Sequence, residues 1–159
     1  MEPSNRINGC IAIEEAAASM YRTFIKLFPN EKDLWEGLFK DEIDHSSFLK
    51  DAASLGIFSR LPIQAQPPSI PFIEKTLEFA QSMNKRIMLN PVSFEDALSI
   101  ALKFEESIVE TYANELIADF KADEDKSYFM DVEKMLIEER GHINKIRNMM
   151  IKKGFLKLS

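Results

Sequence analysis

The chain has 159 residues and a formal net charge of −6 at neutral pH. This length favours one domain with a sizeable core, which we take to cover residues 1–159. The acidic balance argues against binding to nucleic acid or to a membrane surface, because both favour a basic face on the protein. No apolar run approaches the length of a bilayer span, and residues 1–6 lack the pattern of a signal peptide. We therefore expect a cytoplasmic protein.

The residue composition also limits the class of fold. A single cysteine, Cys10, excludes an internal disulfide framework and a Cys-x-x-Cys metal site, and we expect it to pack near the start of a helix. The chain has five glycines and few segments in which Val, Ile or Thr alternate with polar residues. These features predict an all-α protein.

The first half of the chain contains two predicted helices, over residues 7–28 and residues 31–56, with apolar residues at alternating steps of three and four. Pro29 separates the two helices, and Gly56 suits the C-terminal cap of the second. Each apolar stripe also contains charged residues where a core is expected. These residues are Glu14 in the first helix and Glu42 and His45 in the second.

A proline-rich connection follows. Residues 57–71 hold four of the seven prolines and predict an irregular segment, after which a shorter helix is predicted from Ile70 to Met88. We interpret residues 57–92 as a crossover that returns the chain from one end of a helical bundle to the other. The alternative is a surface excursion of no chemical importance.

Two longer helices complete the predicted pattern. The third begins after Ser93, which with Asp96 fits a capping-box-like start, and ends before Lys121. The fourth begins near residues 125–127 and ends at about Lys153, ahead of a glycine. The charged members of their apolar stripes are Glu105, Glu139 and His142.

The two histidines of the chain each follow a glutamate by three residues, as Glu42-x-x-His45 and Glu139-x-x-His142. Residues three apart share a helix face, so each pair can present a carboxylate and an imidazole to one point. The surrounding sequence repeats, because each half carries a glutamate, a tyrosine seven residues later, and then Glu-x-x-His. The chain therefore predicts a pseudo-two-fold arrangement of two helical hairpins.

Charged groups on core-facing stripes must be paired, protonated or bound to metal. The stripes offer no lysine or arginine, and two divalent cations would balance four carboxylates. Carboxylate oxygens with one imidazole per cation suit iron or manganese, with zinc as a further candidate. The predicted metal ligands are Glu14, Glu42, His45, Glu105, Glu139 and His142.

Over nearly its whole length the chain resembles the ferritin-like superfamily, most closely its rubrerythrin and bacterioferritin branch. The resemblance rests on these six residues in their order along four helices. It implies a ferritin-like four-helix bundle, whose long crossover carries an extra short helix, and a centre of two iron ions. It further implies that Glu42 and Glu139 bridge the metals, that Glu14 and Glu105 are terminal ligands, and that each histidine caps one metal.

The sequence also departs from the branch. It has no rubredoxin-like Cys-x-x-Cys pairs before its last residue, so we expect electrons from a separate donor protein such as a rubredoxin. Ile108 replaces an extra glutamate that is typical of rubrerythrins, which favours the symmetric bacterioferritin type of site. Ile43 stands where bacterioferritin has its haem-ligating methionine, so no haem is expected. The resemblance suggests a homodimer.

The leading functional hypothesis is a di-iron oxidoreductase that reduces hydrogen peroxide or dioxygen. The alternatives are a ferroxidase that feeds iron storage or sequesters metal, and a metal-binding structural or interaction module without turnover. The two repeated tyrosines are expected near the site, either as core residues that need a hydrogen-bond partner or with a redox or supporting role. The predicted catalytic residues are Glu42, Glu139, Tyr21 and Tyr112, and Asp41, Glu106 and Glu138 are expected at the surface or in support of the ligands.

Overall fold

The computed structural model describes residues 3–55, 70–120 and 126–156. Within these ranges the chain is all-helical, which confirms the all-α part of the predicted fold. A 3₁₀ turn, Pro29–Glu31, joins the first two helices. The helices are α1 (Pro3–Leu27), α2 (Lys32–Ser54), α3 (Ile70–Leu89), α4 (Phe94–Phe120) and α5 (Lys126–Lys152). The cap predicted at Gly56 and most of the proline-rich connection lie outside the described residues.

Local sequence signals explain several helix ends. Helix α1 begins at Pro3, four residues earlier than predicted, because proline lacks an N–H group and suits the first turn of a helix. The hydroxyl of Ser93 accepts a hydrogen bond from the amide of Asp96 at 3.1 Å, which confirms the predicted start of α4. After α5, Gly154 adopts a φ of 78°, and the amide of Phe155 donates to the carbonyl five residues earlier at 2.8 Å. These bonds close α5 in a Schellman motif.

Contacts between helices fix their relative directions. Tyr21 of α1 bonds Glu105 of α4, whereas Tyr112 of α4 bonds Glu14 of α1, so residue numbers rise along one helix as they fall along the other. Helices α1 and α4 are therefore antiparallel. The same relation holds for α2 and α5, through the contacts of His45 with Glu138 and of Asp41 with His142.

Helix α3 packs against α1 and α4. The side chain of Ile73 lies against Gly9 of α1, and further along, the amide of Asn84 donates to the carbonyl of Ala16 at 3.3 Å. Residue numbers thus rise together, and α3 runs parallel to α1. Helix α3 therefore carries the chain back to the end of the helices at which α4 begins. It covers the outer face of the α1 and α4 pair.

An aromatic cluster closes the core at one end of the helices. The fully buried Trp35 stacks on Tyr21 with ring centroids 5.8 Å apart, and it contacts Phe24 at 4.7 Å. Tyr21 thereby links this cluster to the charged residues deeper in the core. None of the described helices combines the length and the apolar composition needed to cross a bilayer.

Gly9 allows the close approach of α1 and α3, because a Cβ atom there would lie 2.6 Å from Cγ2 of Ile73. A Cβ atom added at Gly37 of α2 would meet no neighbouring atom within 4 Å. We expect Gly37→Ala to raise the free energy of unfolding by up to about 1 kcal/mol through helix propensity. Gly9→Ala should lower it by about 1 kcal/mol through overpacking. Urea denaturation measures both values, and a stabilising Gly9→Ala would contradict the close approach.

Candidate metal centre

Six ionisable side chains from four helices lie together in the core. The predicted stripes bring all six to the interior, and each is buried. Helices α1 and α4 contribute one glutamate each, and α2 and α5 contribute one Glu-x-x-His pair each. The residues are Glu14, Glu42, His45, Glu105, Glu139 and His142.

The ligand atoms of these side chains form two groups, and within each group they lie within 4.8 Å of one another. Both groups contain Glu42 and Glu139. The first group adds Glu14 and His45, and the second adds Glu105 and His142. Each group could hold a metal ion, and the two shared carboxylates connect them.

The Nδ1 atoms of both imidazoles face the shared carboxylates. His45 Nδ1 lies 2.6 Å from Glu139 Oε1 and 3.5 Å from Glu42 Oε2. His142 Nδ1 lies 3.0 Å from Glu42 Oε1 and 3.3 Å from Glu139 Oε2. The ring centroids are 6.0 Å apart. One nitrogen of each ring is thus available to one ligand group.

The Nε2 atoms contact carboxylates at the edge of the core. His45 Nε2 lies 2.7 Å from Glu138 Oε2, and His142 Nε2 lies 2.9 Å from Asp41 Oδ2. Each carboxylate comes from the helix opposite its histidine, so the two helical hairpins exchange these contacts. A carboxylate on the outer nitrogen fixes the ring orientation and leaves Nδ1 as the ligand atom. Glu106, by contrast, pairs with Arg147 on the surface at 3.1 Å.

The repeated tyrosines also make exchanged contacts. The hydroxyl of Tyr21 donates to Glu105, and that of Tyr112 donates to Glu14. Neither hydroxyl bonds the glutamate on its own helix, because seven residues advance a helix by roughly 10 Å. Burial, followed by the charge of the bonded glutamate, raises the pKa of both hydroxyls, so they remain protonated donors. Sequence spacing placed the rings near the site but did not reveal this exchange.

Burial and mutual contacts shift the pKa values of the carboxylates in different directions when no cation is bound. Burial and the neighbouring carboxylates raise the pKa of Glu42, and they raise that of Glu139 to about 8. Burial acts in the same direction on Glu105, but hydrogen bonds, first from His142, outweigh it and hold its pKa at about 2. Burial lowers the pKa of both imidazoles, whereas bonds to the glutamates raise it by more. Protons and imidazolium charges therefore offset the carboxylates when no cation is bound.

Several buried ligand atoms make no well-aligned hydrogen bond within the described part of the chain, although the imidazole nitrogen among them lies 3.0 Å and 3.3 Å from two of the carboxylate oxygens. Buried polar atoms are nearly always paired, so such a group calls for an explanation. A cation in each ligand group would satisfy them, and oxygen donors with one imidazole suit iron, manganese or zinc. The atoms are Glu14 Oε2, both carboxylate oxygens of Glu42, Glu105 Oε2, Glu139 Oε2 and His142 Nδ1.

Cys10 of α1 lies outside these groups. Its side chain is fully buried within the apolar core, in agreement with the packing position predicted for it.

Comparison with protein-family models, with curated proteins and with solved structures found no match to this chain.

The exchanged tyrosine contacts predict a measurable contribution to stability. Tyr21→Phe removes the donor to a buried carboxylate, so we expect the free energy of unfolding of the metal-free protein to fall by roughly 1–3 kcal/mol. Tyr112→Phe should have a similar effect through Glu14. Urea denaturation of Tyr21→Phe, Glu105→Gln and the double variant gives the coupling energy. Additive losses would show that the hydroxyl and the carboxylate do not interact.

Proposed function

We propose that the chain is a ferritin-like four-helix bundle that binds two iron ions and reduces hydrogen peroxide or dioxygen. The observation that carries this proposal is the sharing of Glu42 and Glu139 by two buried ligand groups. The helix directions also support it, since α3 returns the chain between two hairpins as a crossover helix does.

The proposed roles follow from the membership of the two groups. Glu42 and Glu139, which belong to both groups, would hold both cations, and Glu14 and Glu105 would each hold one cation as terminal ligands. Each histidine would hold one cation through Nδ1. Two divalent cations balance four carboxylates, which removes the need for the protons that the metal-free site retains. Iron fits this donor set, with manganese and zinc as competitors.

Ferrous ions in these positions would supply the two electrons that, with two protons, reduce one molecule of peroxide to two molecules of water. The protein residues hold the site and shield it. Tyr21 and Tyr112 orient the terminal carboxylates through their hydroxyl groups, with redox participation as the alternative. The surrounding apolar core limits access of bulk water. Turnover also needs a reductant, which we assign to a separate electron-donor protein such as a rubredoxin.

Metal content tests the site directly. After anaerobic ferrous loading and desalting, we expect about two irons per chain in the wild type. Glu42→Ala/Glu139→Ala should lose both, because each ligand group then lacks two of its members.

The matched control is Glu15→Ala/Glu106→Ala, which removes the same charge from exposed neighbours of Glu14 and Glu105. This control should retain both irons, and circular dichroism should show that both variants are folded. A wild type without iron, or equal iron in the two variants, would contradict the proposal.

The oxidant is tested by stopped-flow absorbance of the diferrous protein. We expect stoichiometric hydrogen peroxide to oxidise it much faster than dioxygen at the same concentration. Glu42→Ala/Glu139→Ala with equal added ferrous iron provides the background rate. Comparable rates for both oxidants, or rates no higher than this background, would count against the peroxidase function.

A further inference from the structure

A cavity of about 390 Å³ lies between α3 and α4. Its volume is within the range typical of sites for small molecules, and none of its described lining residues is one of the six candidate metal ligands. Helix α3 contributes Phe72, Lys75, Thr76 and Phe79 to the lining. Helix α4 contributes Lys103, Ser107 and Glu110.

Contacts between the two helices fix the position of each residue along the cavity. The Oγ1 atoms of Thr76 and Thr111 lie 3.0 Å apart. Further along α3, the ring centroid of Phe79 lies 5.9 Å from Nζ of Lys103. Residue numbers therefore rise along α3 as they fall along α4. Phe79 and Lys103 mark one end of the cavity, and the threonine pair lies towards the other.

The charged residues are distributed unevenly between these two ends. Lys75 and Glu110 are the sequence neighbours of the two threonines, so a positive and a negative charge share that end. Among the described lining residues, Lys103 alone brings charge to the other end. Its contact with the Phe79 ring leaves ammonium N–H donors for a ligand. Glu106, one turn further along α4, pairs with Arg147 at 3.1 Å. The Lys103 end therefore favours an anion.

The two hydroxyl groups that line the cavity have both committed their single proton. Thr111 donates to the carbonyl of Ser107 at 2.8 Å, so Thr76 must be the donor in the pair that these threonines form. The hydroxyl of Ser107 donates to the carbonyl of Lys103 at 3.0 Å. A hydroxyl oxygen in this state can still accept a hydrogen bond. The cavity thus offers a cation at one end and hydroxyl acceptors further along.

We propose that this cavity binds a small aromatic carboxylate that carries a hydroxyl group opposite the carboxylate. The carboxylate accepts charge-assisted hydrogen bonds from Lys103, and the ring packs against Phe72 and Phe79. The ligand hydroxyl donates to the oxygen of Ser107 or Thr76. The four residues from Lys103 to Ser107 span roughly 6 Å of helix, and the two groups of a para-substituted benzene ring have a similar separation. This proposal does not depend on the metal-binding function.

NMR titration of the backbone amides with 4-hydroxybenzoate tests the site in the full chain. EDTA is included, so that binding of the carboxylate to a metal ion cannot contribute. We expect a Kd of about 0.1–1 mM for a ligand of this size, with the shifted amides on α3 and α4 around the cavity. Lys103→Gln should weaken binding roughly tenfold through loss of the charged donor.

The matched control for the charge is Lys134→Gln. It removes the same charge from an exposed lysine of α5 that does not line this cavity. Because Lys103 is also exposed, both variants should fold, and circular dichroism checks this. We expect Lys134→Gln to bind 4-hydroxybenzoate with the Kd of the wild type.

A second ligand tests the hydroxyl contact. Benzoate has the same ring and carboxylate but no hydroxyl group. We expect Ser107→Ala to weaken 4-hydroxybenzoate binding roughly three- to fivefold and to leave benzoate binding unchanged. Lys103→Gln should weaken the binding of both ligands.

The outcomes either support or overturn the site. A wild type that does not bind 4-hydroxybenzoate, amide shifts away from the cavity, or equal Kd values for Lys103→Gln and Lys134→Gln would overturn it. Equal effects of Ser107→Ala on both ligands would overturn the assigned ligand class. Iron loading of a separate sample distinguishes the two proposals, because a chain that binds iron but not 4-hydroxybenzoate, or the reverse, contradicts only one of them.

Discussion

The burial of four carboxylates in one helical core is the constraint on which the rest of the structure depends. An uncompensated buried charge costs several kcal/mol, so each carboxylate needs hydrogen-bond donors or positive charge close to it. Tyr21 of α1 donates a hydrogen bond to Glu105 of α4, and Tyr112 of α4 donates one to Glu14 of α1. The histidines cross in the same way between α2 and α5. The antiparallel pairing of these helices is therefore also the arrangement that brings these donors to the carboxylates.

This compensation is incomplete within the described part of the chain. The tyrosines and outer carboxylates hold the ligands in place, while several buried carboxylate oxygens make no well-aligned hydrogen bond in the described chain. The ligands lie on helices that are packed by a continuous apolar core, which includes Trp35 and Phe24. A site on such elements is preorganised, so little binding energy is spent on ordering it. Metal binding should in turn stabilise the folded state, since the unfolded chain does not assemble these ligands.

Sequence periodicity predicted the helices and the six buried ionisable residues because both depend on spacing along one helix. Glu42 and His45 lie three residues apart and share a face in any helix. The exchanged partners depend on how two helices align, and no spacing within either helix specifies that alignment. Glu138 and Asp41 were for this reason expected only at the surface or in support of the ligands. The cavity between α3 and α4 depends on the packing of side chains from both helices, which the pattern of apolar residues does not determine.

The exchanged contacts have a consequence for how such a protein can evolve. Each histidine and each unshared glutamate has its supporting residue on the other hairpin, so neither hairpin contains a complete half of the site. A gene for one hairpin could reach the same arrangement by pairing two identical chains around a two-fold axis. After duplication and fusion of such a gene, the two copies could acquire different substitutions at equivalent positions. Asp41 and Glu138 occupy equivalent positions but differ in length and surroundings, as expected where two descendants of one ancestral residue have been free to diverge.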